Sequence, residues 1–151
     1  MAEYWFYHLE ASTLNDILPG LIEKVRERGW TALIKHGGAD KAALAELSQF
    51  LWTYRDGSFL AHGRDDQPQA DQQPVLLSNS AIAADGKDCV ILIGGAEVED
   101  MSGVSRAIVL INGRSSDDVT RERGRWSKLK DAGAALAYFQ QDERGSWVKK
   151  A

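Results

Sequence analysis

Apolar residues follow two rhythms along this chain. Tyr4-Trp5-Phe6-Tyr7, followed by His8 and Leu9, is a run of strand-prone residues and predicts a first strand over 3–9. The rhythm then changes, with Leu14, Ile17, Leu18, Leu21, Ile22 and Val25 recurring at helical spacing. Thr13 is placed to cap that helix, with Asp16 three residues on. Pro19 and Gly20 fall inside it. Either the helix kinks there, or it begins later with Pro19 in its first turn. Gly29 marks its end.

Thr31-Ala32-Leu33-Ile34 resumes as a strand, and Asp40 caps a second helix that buries Ala43, Leu44, Leu47 and Leu51. Ser58-Phe59-Leu60 is a short apolar island before His62, and the polar residues 63–74, with two prolines, read as an exposed loop. Val75-Leu76-Leu77 and Cys89-Val90-Ile91-Leu92-Ile93 are the next strands. The second is apolar without alternation, as in a central strand covered on both faces. Residues 94–105 are a loop, and Ala107–Ile111 is a further strand. Ser115 or Ser116 opens a last helix reaching about Ala132, with Asp117 and Asp118 in its first turn. Leu136-Ala137-Tyr138-Phe139 and a tail over 145–150 follow. The order β-α-β-α-(β)-β-β-β-α-β predicts a Rossmann-like three-layer α/β domain with a largely parallel central sheet, one domain over 1–151.

Composition narrows the function classes. The chain has 151 residues, 44% hydrophobic and 26% charged, which is ordinary for a globular protein. The formal net charge of −4 is opposite in sign to that of a broad DNA-coating surface, although it allows a local basic patch. One cysteine, Cys89, excludes an intrachain disulfide and a cysteine-rich zinc site. No basic stretch followed by an apolar run opens the chain, and apolar runs are too short to cross a bilayer, so the cytoplasm is the expected location.

Catalytic chemistry finds little support. The turn between the first strand and helix is Glu10-Ala11-Ser12-Thr13, without the glycines that a dinucleotide or phosphate site needs. Gly37-Gly38 and Gly94-Gly95 follow strands and either hold an anion at a helix N-terminus or form tight turns. His8 and His36 fall near the carboxyl ends of strands read as neighbours, where an acid–base pair or metal is conceivable. No motif joins them, and local polar contacts with Glu10 and Asp40 are the simpler account. Cys89 reads as a small core residue. No metal, cofactor or catalytic residue is expected.

Two stretches stand above that background. Phe50, Trp52, Tyr54 and Phe59 crowd a helix end whose buried stripe is already supplied by Leu47 and Leu51. Trp52 and Phe59 either pack under the following loop or anchor a partner. In the last helix, Val119, Arg123, Trp126 and Lys130 fall along one stripe, with Arg125 and Lys128 on its shoulders. Five basic residues and one acidic residue lie between Arg121 and Lys130. Either Trp126 is half-buried under snorkelling cationic stems, or the stripe receives something apolar that also carries negative charge, such as an acidic peptide ending in a carboxylate.

The order and spacing of Trp5-Phe6-Tyr7-His8-Leu9, Leu51-Trp52, Ser58-Phe59-Leu60-Ala61-His62, Pro74-Val75-Leu76-Leu77 and Arg123-Gly124-Arg125-Trp126, ahead of Lys128, Lys130 and Gly133, resemble the chi subunit family of bacterial DNA polymerase III holoenzyme. The resemblance implies a Rossmann-like fold without a nucleotide cofactor and a non-catalytic accessory of the clamp loader, within a DNA-directed DNA polymerase, a nucleotidyltransferase complex. It also implies two partners. A psi subunit would bind through the aromatics at Trp52 and Phe59. The acidic, phenylalanine-ended C-terminal tail of single-stranded DNA-binding protein (SSB) would bind the last helix through Arg123, Trp126 and Lys128. The chain departs from the family pattern in having Ala61 where proline is frequent and Trp126 in place of a tyrosine. The competing readings are a degenerate nucleotide-binding enzyme using His8, His36 and a Gly-Gly turn, and a module that binds single-stranded DNA directly through Trp126.

Overall fold

A computed structural model describes residues 2–53, 63–64 and 74–151. The strands are β1 (Glu3–Leu9), β2 (Ala32–His36), β3 (Gly63–Arg64), β4 (Val75–Ser78), β5 (Cys89–Ile93), β6 (Arg106–Asn112), β7 (Leu136–Gln141) and β8 (Trp147–Lys149). The helices are α1 (Leu14–Glu27), α2 (Lys41–Thr53) and α3 (Ser116–Asp131). One mixed sheet has the order β3-β4-β2-β5-β6-β1-β7-β8. Every pairing is parallel except β7 with β8.

Both faces of the sheet are covered. On one, Leu18, Leu21, Ile22 and Val25 of α1 and Leu44, Leu47 and Leu51 of α2 pack with Ile34, Leu77, Ile91 and Leu110. On the other, Phe6, Leu33, Val90, Val109 and Ile111 receive Val119, Trp126 and Leu129 of α3. That second layer is only part helix. Ala84, Ala96, Val98 and Val104 from the β4–β5 and β5–β6 connections complete it. All of β5 is buried, as its unbroken apolar sequence predicts.

The local signals resolve the first helix. It runs unbroken through Pro19 and starts at Leu14, so the alternative of a later start does not hold. Thr13 closes a capping box: its hydroxyl accepts from the Asp16 amide at 3.3 Å, and Asp16 accepts from the Thr13 amide at 2.8 Å. That cap compensates for the backbone bond that Pro19 cannot make. Two small elements depart from the expected order. Gly63 and Arg64 lie in the expected loop, yet pair with Leu76 and Leu77. Trp147–Lys149 folds back on β7 because Asp142 accepts the amides of Arg144 and Ser146, forming a turn that the tail's composition did not advertise.

The sequence reading places His8 and His36 on neighbouring strands; in the fold β5 and β6 separate β1 from β2. Three strand spacings intervene, roughly 14 Å. The two imidazoles line different concavities, and a joint acid–base or metal role is excluded by position. The Gly-Gly turns act on packing. A Cβ on Gly37 would lie 2.9 Å from the Gly94 carbonyl oxygen, and one on Gly95 would lie 2.6 Å from Arg121 Nε. No helix follows Gly94-Gly95 directly, so that turn offers no helix N-terminus to an anion. Cys89 is buried, and burial pushes its thiol up to about 12, in keeping with a core role. Among the described residues no helix is long and apolar enough to cross a membrane.

The turn after β1 is held by one side chain. Gln141 Oε1 accepts the backbone amides of Glu10, Ala11 and Ser12 at 3.0, 3.0 and 3.1 Å. Its Nε2 donates to Ser12 Oγ at 2.9 Å. Gln141 is 3% exposed, so its truncation removes one buried acceptor from all three amides at once. Gln141→Ala is expected to cost about 2–3 kcal/mol, read as a lowered urea midpoint at unchanged m-value. An unchanged midpoint would show that the turn holds itself.

Candidate functional site: a cleft between α3, β1 and β7

Alternation along β1 turns Phe6 and His8 toward α3, and Leu136, Tyr138 and Gln140 of the parallel neighbour β7 take the same face. Trp126 closes this arrangement from above. Its ring meets Phe6 edge-on at 5.3 Å and 79°, and Tyr138 at 5.5 Å and 88°. Phe6 and Tyr138 stack on each other at 6.1 Å and 12°. Edge-to-face geometry of this kind adds about 0.5–1.5 kcal/mol per pair beyond burial. It also leaves part of the indole facing a cleft of about 430 Å³. The cleft wall continues through His8, Arg123 and Ser127, then Gln140 on β7 and Lys150 and Ala151 beyond β8.

The last helix carries five cations between Arg121 and Lys130, but they are not equivalent. Glu122, 1% exposed, pairs with two of them: Arg121 Nε lies 3.3 Å from its Oε1 and Arg125 Nε 3.3 Å from its Oε2. Arg121 also bonds Asp118, and Arg125 donates to the Ala96 carbonyl at 2.8 Å. Those two guanidiniums are structural. Arg123, Lys128 and Lys130 are exposed, and the Arg123 guanidinium makes no hydrogen bond or ion pair among the described residues. Of these three, only Arg123 lines the cleft.

His8 sits at the cleft floor, 6% exposed. Its Nδ1 lies 2.7 Å from Tyr138 Oη, and its Nε2 is 3.5 Å from Glu10 Oε1. Gln140 Nε2 donates to the same Glu10 oxygen at 2.6 Å. Burial lowers the His8 pKa below its ordinary value, Glu10 works against that, and Arg123 adds to it. Burial raises the Tyr138 phenol, again with Arg123 acting to lower it. The β6–α3 turn presses on the imidazole from the third side. A Cβ at Gly113 would lie 2.4 Å from the Leu9 carbonyl oxygen and 2.5 Å from His8 Nε2.

Of the residues proposed from the sequence for a tail site, Arg123 and Trp126 therefore share one concavity. Val119 packs half-buried against the sheet with Trp126 and Leu129, and Lys128 and Lys130 lie outside the cleft lining. The 100° arithmetic placed Arg123 and Lys130 on Trp126's stripe. The buried stripe is centred instead near Glu122, between Arg125 and Trp126, which leaves Arg123 and Lys130 on its exposed border. Sequence reasoning missed Tyr138, Gln140 and Lys150. The β7 alternation was the available signal, but which face it met depended on a sheet order that the sequence does not contain. Trp52 belongs to the last turn of α2, with its side chain outside the described residues; Phe59 and His62 lie outside them altogether.

A second concavity, about 380 Å³, opens at the carboxyl ends of β1, β5 and β6. There α1 and α3 leave in opposite directions on opposite faces, the position where open α/β sheets place ligands. Its wall is occupied by the chain's own contacts. Arg114 donates to the carbonyls of Glu10 and Ser12 at 2.8 and 3.0 Å, and Ser115 caps α3 through the Asp118 amide at 3.2 Å. His36 Nδ1 accepts from the Gly38 amide at 3.1 Å, and burial lowers its pKa. Among the described residues no group of three histidine, cysteine or acidic side chains is placed to hold a metal.

The fold and cleft define a class: a largely parallel α/β domain carrying a surface site with one aromatic wall and a cation left free at its mouth. The family model of the DNA polymerase III chi subunit, HolC, matches residues 1–137, and the chain belongs to that family. The match runs from β1 into the start of β7. No curated protein gives a significant match. Family membership makes the chain a subunit-type protein of DNA replication.

The seat of His8 is testable by stability alone. Gly113→Ala should cost about 1–3 kcal/mol, because its Cβ meets backbone that cannot step aside. Gly124→Ala, with nothing within 4 Å in helix α3, should gain about 0.5–1 kcal/mol. Equal effects of the two substitutions in thermal or urea melts would contradict this packing.

Proposed function

We propose that this chain is a non-catalytic chi-type accessory of the DNA polymerase III clamp loader, and that it tethers the replicase to SSB by binding the acidic C-terminal tail of that protein in the α3–β1–β7 cleft. The observation that carries the reading is the pairing, in one concavity, of a half-exposed Trp126 with the free guanidinium of Arg123. The apolar side chain at the peptide's end would lie against Trp126, and its terminal carboxylate would take Arg123 as a bidentate fork. Lys128 and Lys130, outside the cleft, would act on the upstream aspartates through the wider field, as Val119 acts through packing. A psi-type subunit would use the separate surface around Trp52 and Phe59. The doubly covered, largely parallel sheet supports reading the domain as Rossmann-like.

The nucleotide-binding alternative meets a specific obstacle. In a dinucleotide fold the amides of the first βα turn receive the pyrophosphate. Here three amides of that turn already converge on Gln141 Oε1. A phosphate would have to displace a buried side chain that satisfies them.

A site this small should bind a synthetic acidic peptide ending in phenylalanine with micromolar affinity, about −8 kcal/mol at 1 μM. Calorimetry should show Arg123→Ala and Trp126→Ala each weakening it by about tenfold or more, about 1.4 kcal/mol. Affinity should fall as salt rises, and the peptide lacking its last residue should bind no better than the variants. Equal binding by wild type and a folded Trp126→Ala, or tight binding of a bare oligonucleotide at the same residues, would move the site or change the partner. Phe59→Ala should cost a psi-type partner about 2 kcal/mol or more while leaving peptide affinity unchanged.

A further inference from the structure

We infer that His8 and Tyr138 form a proton-gated carboxylate receptor in this cleft, so that capture of an acidic chain end takes up a proton. The inference rests on the tail-binding reading and names residues that reading does not use. Tyr138 Oη and His8 Nδ1 share one hydrogen bond of 2.7 Å, and Tyr138 also lines the cleft. When His8 is neutral with Nδ1 as acceptor, the phenolic proton is committed to the imidazole. When His8 is protonated, both ring nitrogens donate. Nδ1–H then points at Tyr138 Oη, and the phenol must turn its own O–H elsewhere. The open direction is the cleft, where a carboxylate would accept it. The proton comes from solvent, and no covalent bond changes.

The surrounding charges push the equilibrium the same way on ligand entry. His8 is faced by Glu10 from the end of β1, by Tyr138 from β7 and by Arg123 from α3, while Lys150 lines the same cleft. In the free protein burial and Arg123 lower the imidazole's pKa, and Glu10 opposes them. A bound carboxylate brings one negative charge beside the ring, which offsets the field of Arg123 and favours imidazolium. Nε2 carries the ring proton already in the neutral state, and its distance of 3.5 Å from Glu10 is long for a hydrogen bond but short enough to close once the ring gains positive charge.

The sign follows from linkage. A group whose pKa is higher in the complex than in the free protein makes binding tighter as pH falls through the complex value. The gain levels off below the free-protein value, which here lies under the ordinary histidine pKa. Affinity tightens in total by about tenfold for each unit by which the ligand raises His8. The peptide's own carboxylates titrate near pH 4, below the pH range of the measurement.

The experiment is calorimetry of the full chain with a synthetic peptide of aspartates ending in phenylalanine, from about pH 8 to about pH 5.5, in two buffers of different ionisation enthalpy. Wild type should take up a proton and bind several-fold more tightly at the acid end. His8→Gln should bind with an affinity that is flat across the range. Tyr138→Phe should lose affinity mainly at the acid end, where the freed O–H acts, whereas a merely structural role would lower it equally at every pH. The imidazole Cε1–H resonance of His8, followed by NMR with and without peptide, gives the shift directly even if a variant fails to fold. Peptide binding without proton uptake, or pH dependence unchanged in His8→Gln, overturns the gate and leaves the tail reading standing. No peptide binding by wild type at any pH overturns the tail reading itself.

Discussion

The edge-on packing of Trp126 against Phe6 and Tyr138 is the contact on which the site depends. It docks α3 to two adjacent strands at once, and it decides which part of the indole remains available. Were Trp126 fully sunk between the strands, there would be no aromatic wall. Were it fully exposed, nothing would hold the helix at the angle that brings Arg123 over His8. Glu122 ties down the same helix from its buried side by pairing with Arg121 and Arg125. A strongly basic helix thereby presents one selected guanidinium to the cleft, while Lys128 and Lys130 remain outside it. The chain's acidic balance and its basic site are compatible for that reason: the positive field is local.

The other constraint is the turn after β1. In dinucleotide-binding α/β domains, glycines bare a set of amides for a phosphate. This chain turns the corner with Glu10-Ala11-Ser12-Thr13 and satisfies three amides internally through Gln141, reaching across from the end of β7. The same strand carries Tyr138 and Gln140 on its opposite face into the cleft. β7 therefore closes one potential site with one face and builds another with its other face. Arg114, bound to the carbonyls of the same turn, adds a second internal tie where a ligand would otherwise enter.

Most of the fold was legible in the sequence because its signals are local. The β1 and β5 runs, the capping box at Thr13 and the Asp40 cap each depend on residues within a few positions of one another. The family resemblance was legible on similar grounds, and the match over 1–137 bears it out. What failed depended on long-range order. His8 and His36 look like a pair only if β1 and β2 are adjacent. β8 and the two-residue β3 exist because of their partners rather than their propensities. Half of the cleft was invisible for the same reason. Tyr138, Gln140 and Lys150 become neighbours of Arg123 only once β7 is known to lie beside β1. The helical wheel, meanwhile, did not register that a buried Glu122 rotates the charged border away from Trp126.

An acidic chain end is expected to bind between α3, β1 and β7. Amide and imidazole NMR of the isotope-labelled protein, titrated with an acidic peptide ending in phenylalanine, reads the location directly. Saturable shifts should concentrate at His8, Arg123, the Trp126 indole, Tyr138, Gln140 and Lys150, with His36, Gly94 and Ser115 unmoved. Shifts centred on the cavity around His36 and Ser115, or at the end of α2, would contradict it.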